Sequence, residues 1–197
     1  MPLNLHTHDL KKERSTFGKL YVVSTPIGNR EDITLRALKV LGEVDWIAAE
    51  DTRHTRQLMS GRPVSGRFIP YHEHNEDKQT PVLMDRLKRG ESVALVSNAG
   101  TPLVSDPGYP LLQAAVTAGV EVIPIPGASA LLAALSVSGL PNESFVFVGF
   151  LPKKRGERER RLNHLATEEK TLIFFESPNR ILFLLEEIQQ IMGNRKS

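Results

Sequence analysis

The 197-residue chain contains no cysteine, which removes disulfides, thiolate nucleophiles and cysteine-based zinc sites from consideration. Any metal would need histidine or carboxylate ligands, and no such site is expected. No apolar run approaches the roughly 20 residues that span a bilayer. The N-terminus also lacks the apolar stretch of a secretion signal, so a cytosolic protein without membrane contact is expected. Neither a dinucleotide fingerprint of three spaced glycines nor a phosphate loop ending in Gly-Lys-Ser or Gly-Lys-Thr is present, which argues against dinucleotides and nucleoside triphosphates. The formal charge of +2 is too small to imply a nucleic-acid partner unless it is unevenly distributed. Hydrophobic residues make up 40% of the chain, ordinary for a sequence that builds a core.

Met1 to Gly18 is polar, without apolar periodicity, and reads as a mobile arm, residues 1–18. From Leu20 onward, short apolar runs alternate with helical patterns. Strands are expected at Leu20 to Val23, Trp46 to Ala49, Arg67 to Tyr71, Val93 to Val96 and Val120 to Ile125. The first helix is expected to be capped by Asp32 and to carry Leu35, Leu38 and Leu41 inward, and a later one to bury Val82, Leu83 and Leu87. Strands alternating with helices predict βαβ units, a largely parallel sheet and the α/β class. Consecutive rather than alternating apolar positions predict strands covered on both faces. Residues 19–139 are expected to form an N-terminal α/β domain and 140–197 a partial C-terminal one. The second region has only two convincing strands, at Phe145 to Val148 and Thr171 to Phe175, and stops in mid-pattern.

Four segments lie where a strand gives way to a loop: Ser24 to Asn29, Glu50 to Arg53, Ser97 to Gly108 and Pro126 to Ser129. The third is the richest, with Gly100 and Gly108 allowing unusual backbone angles while Pro102 and Pro107 fix theirs. Glycine and proline can simply terminate strands. In a parallel sheet, however, all four segments fall on one edge, where small residues make a backbone-lined crevice for a nucleoside or amino-acid-bearing cofactor.

Five stretches, LYVVSTPIGNREDIT from Leu20, AAEDTR from Ala48, HEHNE from His72, SNAGTPLVSDPG from Ser97 and FFESPNR from Phe174, closely resemble the ribosomal small-subunit RNA methyltransferase I family of the tetrapyrrole methylase superfamily. The resemblance runs from about Lys19 to the last residue. It implies S-adenosylmethionine as cofactor and 2'-O-methylation of a cytidine in the decoding region of small-subunit (16S) rRNA, on free rRNA or the assembled subunit. It also implies two α/β domains enclosing the cofactor, and a homodimer. By the same resemblance, cofactor contacts fall on Pro26, Ile27, Gly28, Asn98, Gly100, Thr101, Val104, Gly127, Ala128, Ser129 and Phe175. Where the family usually carries Asp, this chain has Asn98, which keeps one acceptor oxygen and loses a charge.

Methyl transfer to a ribose hydroxyl needs positioning and a group to take the hydroxyl proton. Glu50, Arg53, His74 and Glu176 are the catalytic candidates, with Asp51, His54 and His72 nearby. An ordinary surface ion-pair loop accounts equally for the first pair, and a helix cap with outward imidazoles for the histidines. The alternating His72 and His74 are expected on opposite faces of an extended segment. In Glu176 to Arg180, Pro178 suits a first helical turn. The segment Lys153 to Arg161 holds six basic and two acidic residues, a net of +4, enough to neutralise several phosphates unless it is a solvated helix face with internal pairs. Lys153, Lys154, Arg155, Arg158 and Arg180 are the expected RNA contacts. Two other functions stay open: a tetrapyrrole or protein side-chain methyltransferase, and a non-catalytic cofactor- or RNA-binding module.

Overall fold

In chain order the structure, a computed structural model describing residues 17–196, runs β1 (Lys19–Val23), α1 (Leu35–Glu43), β2 (Trp46–Ala49), α2 (Thr52–Leu58), β3 (Arg67–Pro70), α3 (Glu76–Lys88), β4 (Val93–Val96) and α4 (Tyr109–Thr117). It continues with β5 (Glu121–Ile125), α5 (Ala130–Val137), β6 (Phe145–Phe150), α6 (Arg155–Leu165), β7 (Thr171–Phe175) and α7 (Ile181–Met192). The first five strands form one sheet in the order β3-β2-β4-β1-β5, parallel at every pairing.

Central β4 is buried at all four positions, as expected for a strand covered on both faces. Val93 and Leu95 point into a core with Leu83 and Leu87 of α3 and Leu111 and Ala115 of α4. Ala94 and Val96 point into the other, with Ala37 and Leu41 of α1 and Met59 after α2. The direction of travel accounts for this division. The chain moves one way along the sheet from β1 through β2 to β3 and returns from β3 through β4 to β5, so right-handed crossovers set the two pairs of helices on opposite faces.

Three local expectations are corrected. Thr34, not Asp32, caps α1, its side chain accepting from the Ala37 N–H at 3.1 Å, while Asp32 ends a separate 3-10 turn. Leu35 and Val82 are exposed, because each begins or flanks the buried stripe one position off its helical repeat. Most of the predicted mobile arm lies outside the described residues, but its last two do not fit that description. Phe17 packs on the core and the Gly18 N–H donates to the Leu87 carbonyl at 2.7 Å.

At the amino edge of the sheet, Trp46 lies between the guanidinium groups of Arg86, 4.6 Å from the ring centroid, and Arg67, at 5.7 Å. Its indole N–H donates to Glu91 at 2.8 Å. The described helices include none long and apolar enough to cross a membrane.

Strands β6 and β7 form a second, parallel sheet, with a bulge between Phe147 and Gly149. Leu151, Leu162 and Leu184 form its small core. Beside them Arg158 is buried on α6, donating from Nε and Nη2 to both carboxylate oxygens of buried Glu187 on α7 and from Nη1 to the carbonyls of Pro152 and Lys153. The predicted role of Arg158 as an RNA contact is therefore corrected: its charge is consumed inside the protein. Replacing Arg158 by Met would leave a buried carboxylate unpaired, and breaking such a pair costs about 3–5 kcal/mol. Urea denaturation is expected to show that loss for Arg158→Met and to recover most of it in Arg158→Met/Glu187→Leu, in which neither charge remains.

Candidate functional site

Strand β1 exits toward α1 on one face of the sheet, and its neighbour β4 exits toward α4 on the other. The carboxyl ends of these two strands therefore part and leave a crevice, the topological switch point of a parallel sheet. The Thr25 N–H donates to the Gly100 carbonyl at 2.8 Å and the Gly100 N–H to the Thr25 carbonyl at 3.0 Å, an isolated antiparallel bridge within a parallel fold. Side chains reinforce it. Thr25 Oγ1 donates to the Ser97 carbonyl at 3.2 Å, the Ser24 and Thr101 hydroxyls meet at 2.9 Å, and Thr101 Oγ1 donates to the Ala128 carbonyl at 3.3 Å.

The loop from Ser97 to Gly108 is held by the other strands as well. Glu50 after β2 accepts from the Asn98 N–H at 3.1 Å, and Asn98 Oδ1 accepts in return from the Asp51 N–H at 3.2 Å. Glu76 at the start of α3 accepts from the Gly108 N–H at 2.6 Å. Gly108 has φ +134°, and a Cβ there would stand 2.6 Å from Leu95 Cδ2, so only glycine fits. The sequence placed the unusual backbone on glycines alone, yet Leu103 and Ser105 also take positive φ, at 75° and 63°, an uncommon geometry for residues with a Cβ. The bulge in β6 brings Gly149 so close that a Cβ on it would lie 2.8 Å from Ser105 Oγ.

A cavity of about 300 Å³ opens in this crevice. Of the expected cofactor contacts, Ile27, Gly100, Thr101, Val104, Ser129 and Phe175 line it, joined by Ala99, Ser105, Asp106, Ala130 and Phe150. Phe175 meets Phe147 and Phe150 edge to face, with centroids 5.0 and 5.7 Å away. Phe150 and Phe175 are paired residues of the parallel β6–β7 register, which is the signal that could have identified Phe150. The other expected contacts stand back from the cavity. Pro26 is outside its lining, and Gly28 has open space where a side chain would be. A Cβ on Gly127 would meet Ser24 Cβ at 2.9 Å, the Ala128 carbonyl is taken by Thr101, and Asn98 is bound to Asp51.

A second cavity of about 510 Å³ lies alongside, lined by Glu50, by His72, Glu73, His74 and Glu76, and by Ser105 to Tyr109. Ser105 and Asp106 line both cavities. His72 and His74 do not point to opposite faces, a correction to the extended geometry expected of them. The segment is a turn, and the rings stand edge to face with centroids 6.1 Å apart. No group of three or more metal-ligating side chains forms among the described residues.

The remaining catalytic candidates are placed elsewhere. Arg53 is exposed and pairs at 3.1 Å with Asp51, which caps α2. The hydrogen bonds from Arg53 hold the Asp51 carboxyl down to about 2. The Glu176 side chain is buried and 3.0 Å from half-buried Arg180, outside both cavities. Pro178 lies in the turn before α7 rather than in its first turn. Within the basic segment, Lys154 and Arg155 pair with Glu157 and Glu159 at 3.5 and 2.7 Å, while Lys153, Arg160 and Arg161 are exposed on the same element and its approach. Asp106 escaped the sequence reading, which treated its loop as backbone only. Burial raises its carboxyl to about 6, Glu50's charge adds to the rise, and a hydrogen bond with Ser97 opposes it.

Residues 19–196 match the family of Tetrapyrrole (Corrin/Porphyrin) Methylases. Among curated proteins, the chain is similar to the Ribosomal RNA small subunit methyltransferase I of Xylella fastidiosa, 52% identical over 182 residues, which cover 92% of this chain and 67% of that protein. The protein of the same name from Halalkalibacterium halodurans is 47% identical over 191 residues, 97% of this chain and 66% of the relative. The chain thus spans about two thirds or less of the length of these relatives, 57% in that of Micromonospora olivasterospora. Among solved structures, the methyltransferase CobJ is similar at TM-score 0.66 and 23% identity, over 88% of this chain and 76% of that one. Uroporphyrin-III C-methyl transferase from Thermus thermophilus complexed with S-adenyl homocysteine is similar at TM-score 0.57 and 22% identity, over 90% of this chain and 78% of that one.

Because the folded state raises Asp106 from 3.8 to about 6, it binds the proton more readily than the unfolded chain. The associated stability is complete in acid below 3.8 and lost as pH rises through about 6. Thermal melts are expected to give Asp106→Asn a higher Tm than the parent at pH 8 and a closely matching one at pH 4.

Proposed function

The chain belongs to the tetrapyrrole (corrin/porphyrin) methylase family, and we propose that it is an S-adenosylmethionine-dependent methyltransferase acting on the 2'-hydroxyl of a cytidine in the decoding region of small-subunit rRNA. The rRNA substrate is supported by relatives of that name at about half identity. The methyl donor is supported by a neighbour of the same fold that holds S-adenyl homocysteine. The observation that carries this function is the switch-point cavity, whose walls suit a nucleoside bearing an amino acid: small residues at Ala99, Gly100, Ser105, Ser129 and Ala130, with aromatic rings at Phe150 and Phe175. A Cβ on Gly100 would reach within 3.5 Å of Ile27 Cγ2, so the glycine keeps the floor open.

When bound, S-adenosylmethionine supplies a methyl group already activated by a sulfonium. The chain's own part is positioning. Phe150 and Phe175 offer faces for a base to stack on. Ser129 offers a hydroxyl, and bare backbone at Gly100 permits close approach. Glu50 and His74, facing the neighbouring cavity, remain the catalytic candidates best placed for a substrate, whereas Arg53 and Glu176 lie outside it. Lys153, Lys154, Arg155, Arg160 and Arg161 form a basic rim that begins shortly after Phe150, suited to phosphates of a folded RNA. The first sheet and its helices, residues 19–139, serve as one domain and residues 140–197 as part of a second. A homodimer belongs to the same reading and is supported by Leu182, Phe183 and Leu185, which α7 leaves exposed.

Calorimetry is expected to show S-adenosylmethionine binding. Loss of one aromatic stack in Phe175→Ala, worth about 1–3 kcal/mol, should weaken it by roughly 5- to 150-fold. Labelled methyl groups should appear in undermethylated small subunits; incorporation into a porphyrin precursor instead, or binding without transfer, would overturn the rRNA assignment. Replacing Lys153, Lys154, Arg160 and Arg161 by Ala, with Arg158 left in place, should lower RNA affinity. It should also flatten the slope of log K against log salt by about 0.7–0.9 for each phosphate no longer neutralised, as read by filter binding across a salt series.

A further inference from the structure

We infer that Glu76, which stands outside the cofactor cavity, is a positioning residue for it: its carboxylate clasps the far end of the Ser97 to Gly108 loop and so fixes the wall that Ser105 and Asp106 form. The assignment rests on the S-adenosylmethionine site proposed above. Glu76 accepts from the Gly108 N–H at 2.6 Å, across 32 residues of chain and from a different helix. It lines the second cavity and not the first, whereas Ser105 and Asp106 line the first as well.

Helix α4 depends on a partner from elsewhere. A helix start ordinarily supplies its own side-chain acceptor at the N-cap, but the N-cap of α4 is Gly108, which has no side chain. Its φ of +134° and the crowding there exclude any other residue, since a Cβ would stand 2.6 Å from Leu95 Cδ2 and 2.9 Å from Leu103 Cδ2. An anion at this point is favoured twice, by the N–H it accepts from and by the positive end of the α4 dipole. Glu76 is placed to provide it. As the first residue of α3 it follows Asn75, an N-cap that makes no side-chain cap bond. Asn75 serves the preceding turn instead, accepting from the His72 N–H at 2.8 Å and donating to the Pro70 carbonyl at 3.1 Å. That turn fixes where α3 begins, and with it the origin of the Glu76 side chain.

A short, stiff lever joins the clasp to the cavity. Pro107, with its fixed φ, connects Gly108 directly to Asp106, and Ser105 precede it at φ +63°, a geometry that persists where neighbours over-determine it. The near end of the loop has separate fastenings, in the Thr25–Gly100 exchange, Thr101 to Ala128 and the Asn98 N–H to Glu50. Release of Gly108 therefore leaves the Gly100 floor in place and shifts the backbone beneath Ser105 and Asp106, while the Asp106 carboxyl stays tied to Ser97. Half of the cavity wall moves, and a ligand fitted to the whole wall loses affinity.

The test is calorimetric titration of S-adenosylmethionine into the unaltered chain and four variants, with the Gly108 amide followed by NMR. Glu76→Ala should bind roughly 10- to 100-fold more weakly, the scale of one hydrogen bond to a charged group. Glu76→Gln keeps the acceptor oxygen and should recover about half of that loss on a logarithmic scale, a neutral pair being about half as strong. Glu76→Asp separates reach from charge: it keeps the carboxylate one methylene short of Gly108 and should bind as weakly as Glu76→Ala. Asp77→Ala removes the neighbouring acid of the same helical turn and should stay within about twofold of the parent, which distinguishes the clasp from a general weakening of α3. In the parent the Gly108 amide proton should resonate downfield and exchange slowly, and both features should vanish in Glu76→Ala and Glu76→Asp. Parent-like affinity in Glu76→Ala, an equal loss in Asp77→Ala, or tighter binding by Glu76→Asp than by Glu76→Gln would overturn the inference and leave the cofactor site standing. The last comparison decides the matter even if Glu76→Ala does not fold. Absence of binding by the unaltered chain would overturn the S-adenosylmethionine site itself, and the positioning role with it.

Discussion

Two backbone hydrogen bonds exchanged between Thr25 and Gly100 are the constraint on which the remaining site geometry depends. They join the loops that leave β1 and β4 at the place where right-handed crossovers force those loops to opposite faces of the sheet. Without that bridge the crevice would be a gap between two diverging chains; with it, the crevice has a floor. The loop after β4 is then free to run outward and be fastened in turn by β2 through Glu50, by α3 through Glu76 and by the post-β5 carbonyl of Ala128. One twelve-residue segment is thus fixed by neighbours on both sides of the sheet, and strained positions such as Ser105 persist because so many contacts determine them together.

Electrostatics are segregated across a short distance. Carboxylates of Glu50, Glu73, Glu76 and Asp106 gather in the inner cavity, while lysines and arginines collect on the rim at the start of α6. Asn98 fits this division. Its amide oxygen accepts from the Asp51 N–H, the same service a carboxylate would render, without adding charge beside Glu50 and Asp106. Asn98 therefore anchors the loop at two points, through its N–H to Glu50 and its side-chain oxygen to Asp51. On the rim, Arg158 was the misleading residue: one of six cations in a basic run, it is the one turned inward to satisfy Glu187.

The sheet was legible because strand burial on both faces leaves consecutive apolar residues, as in Val93 to Val96, and because glycine and proline mark where strands stop. The parallel arrangement then predicted that the four small-residue loops share an edge. Helix faces were less legible near their ends, where Leu35 and Val82 continue an apolar pattern that packing does not use. Side-chain direction in turns was hidden as well, since the period-two rule that separates His72 from His74 holds only for extended backbone. Asp106 was invisible for a different reason. Nothing in its local sequence distinguishes it from any Asp-Pro-Gly turn, and its character arises from two cavities that only the assembled fold brings together.

Trp46 is the chain's single tryptophan, and it opens β2 at the amino edge of the sheet, flanked by Arg67 and Arg86 and hydrogen-bonded to Glu91. A strand of four residues, about 13 Å at the usual rise, separates it from the crevice at the carboxyl edge. The molecule thus carries an intrinsic fluorophore whose emission follows the integrity of the sheet and the stacking of two cations, while standing apart from whatever occupies the cavities.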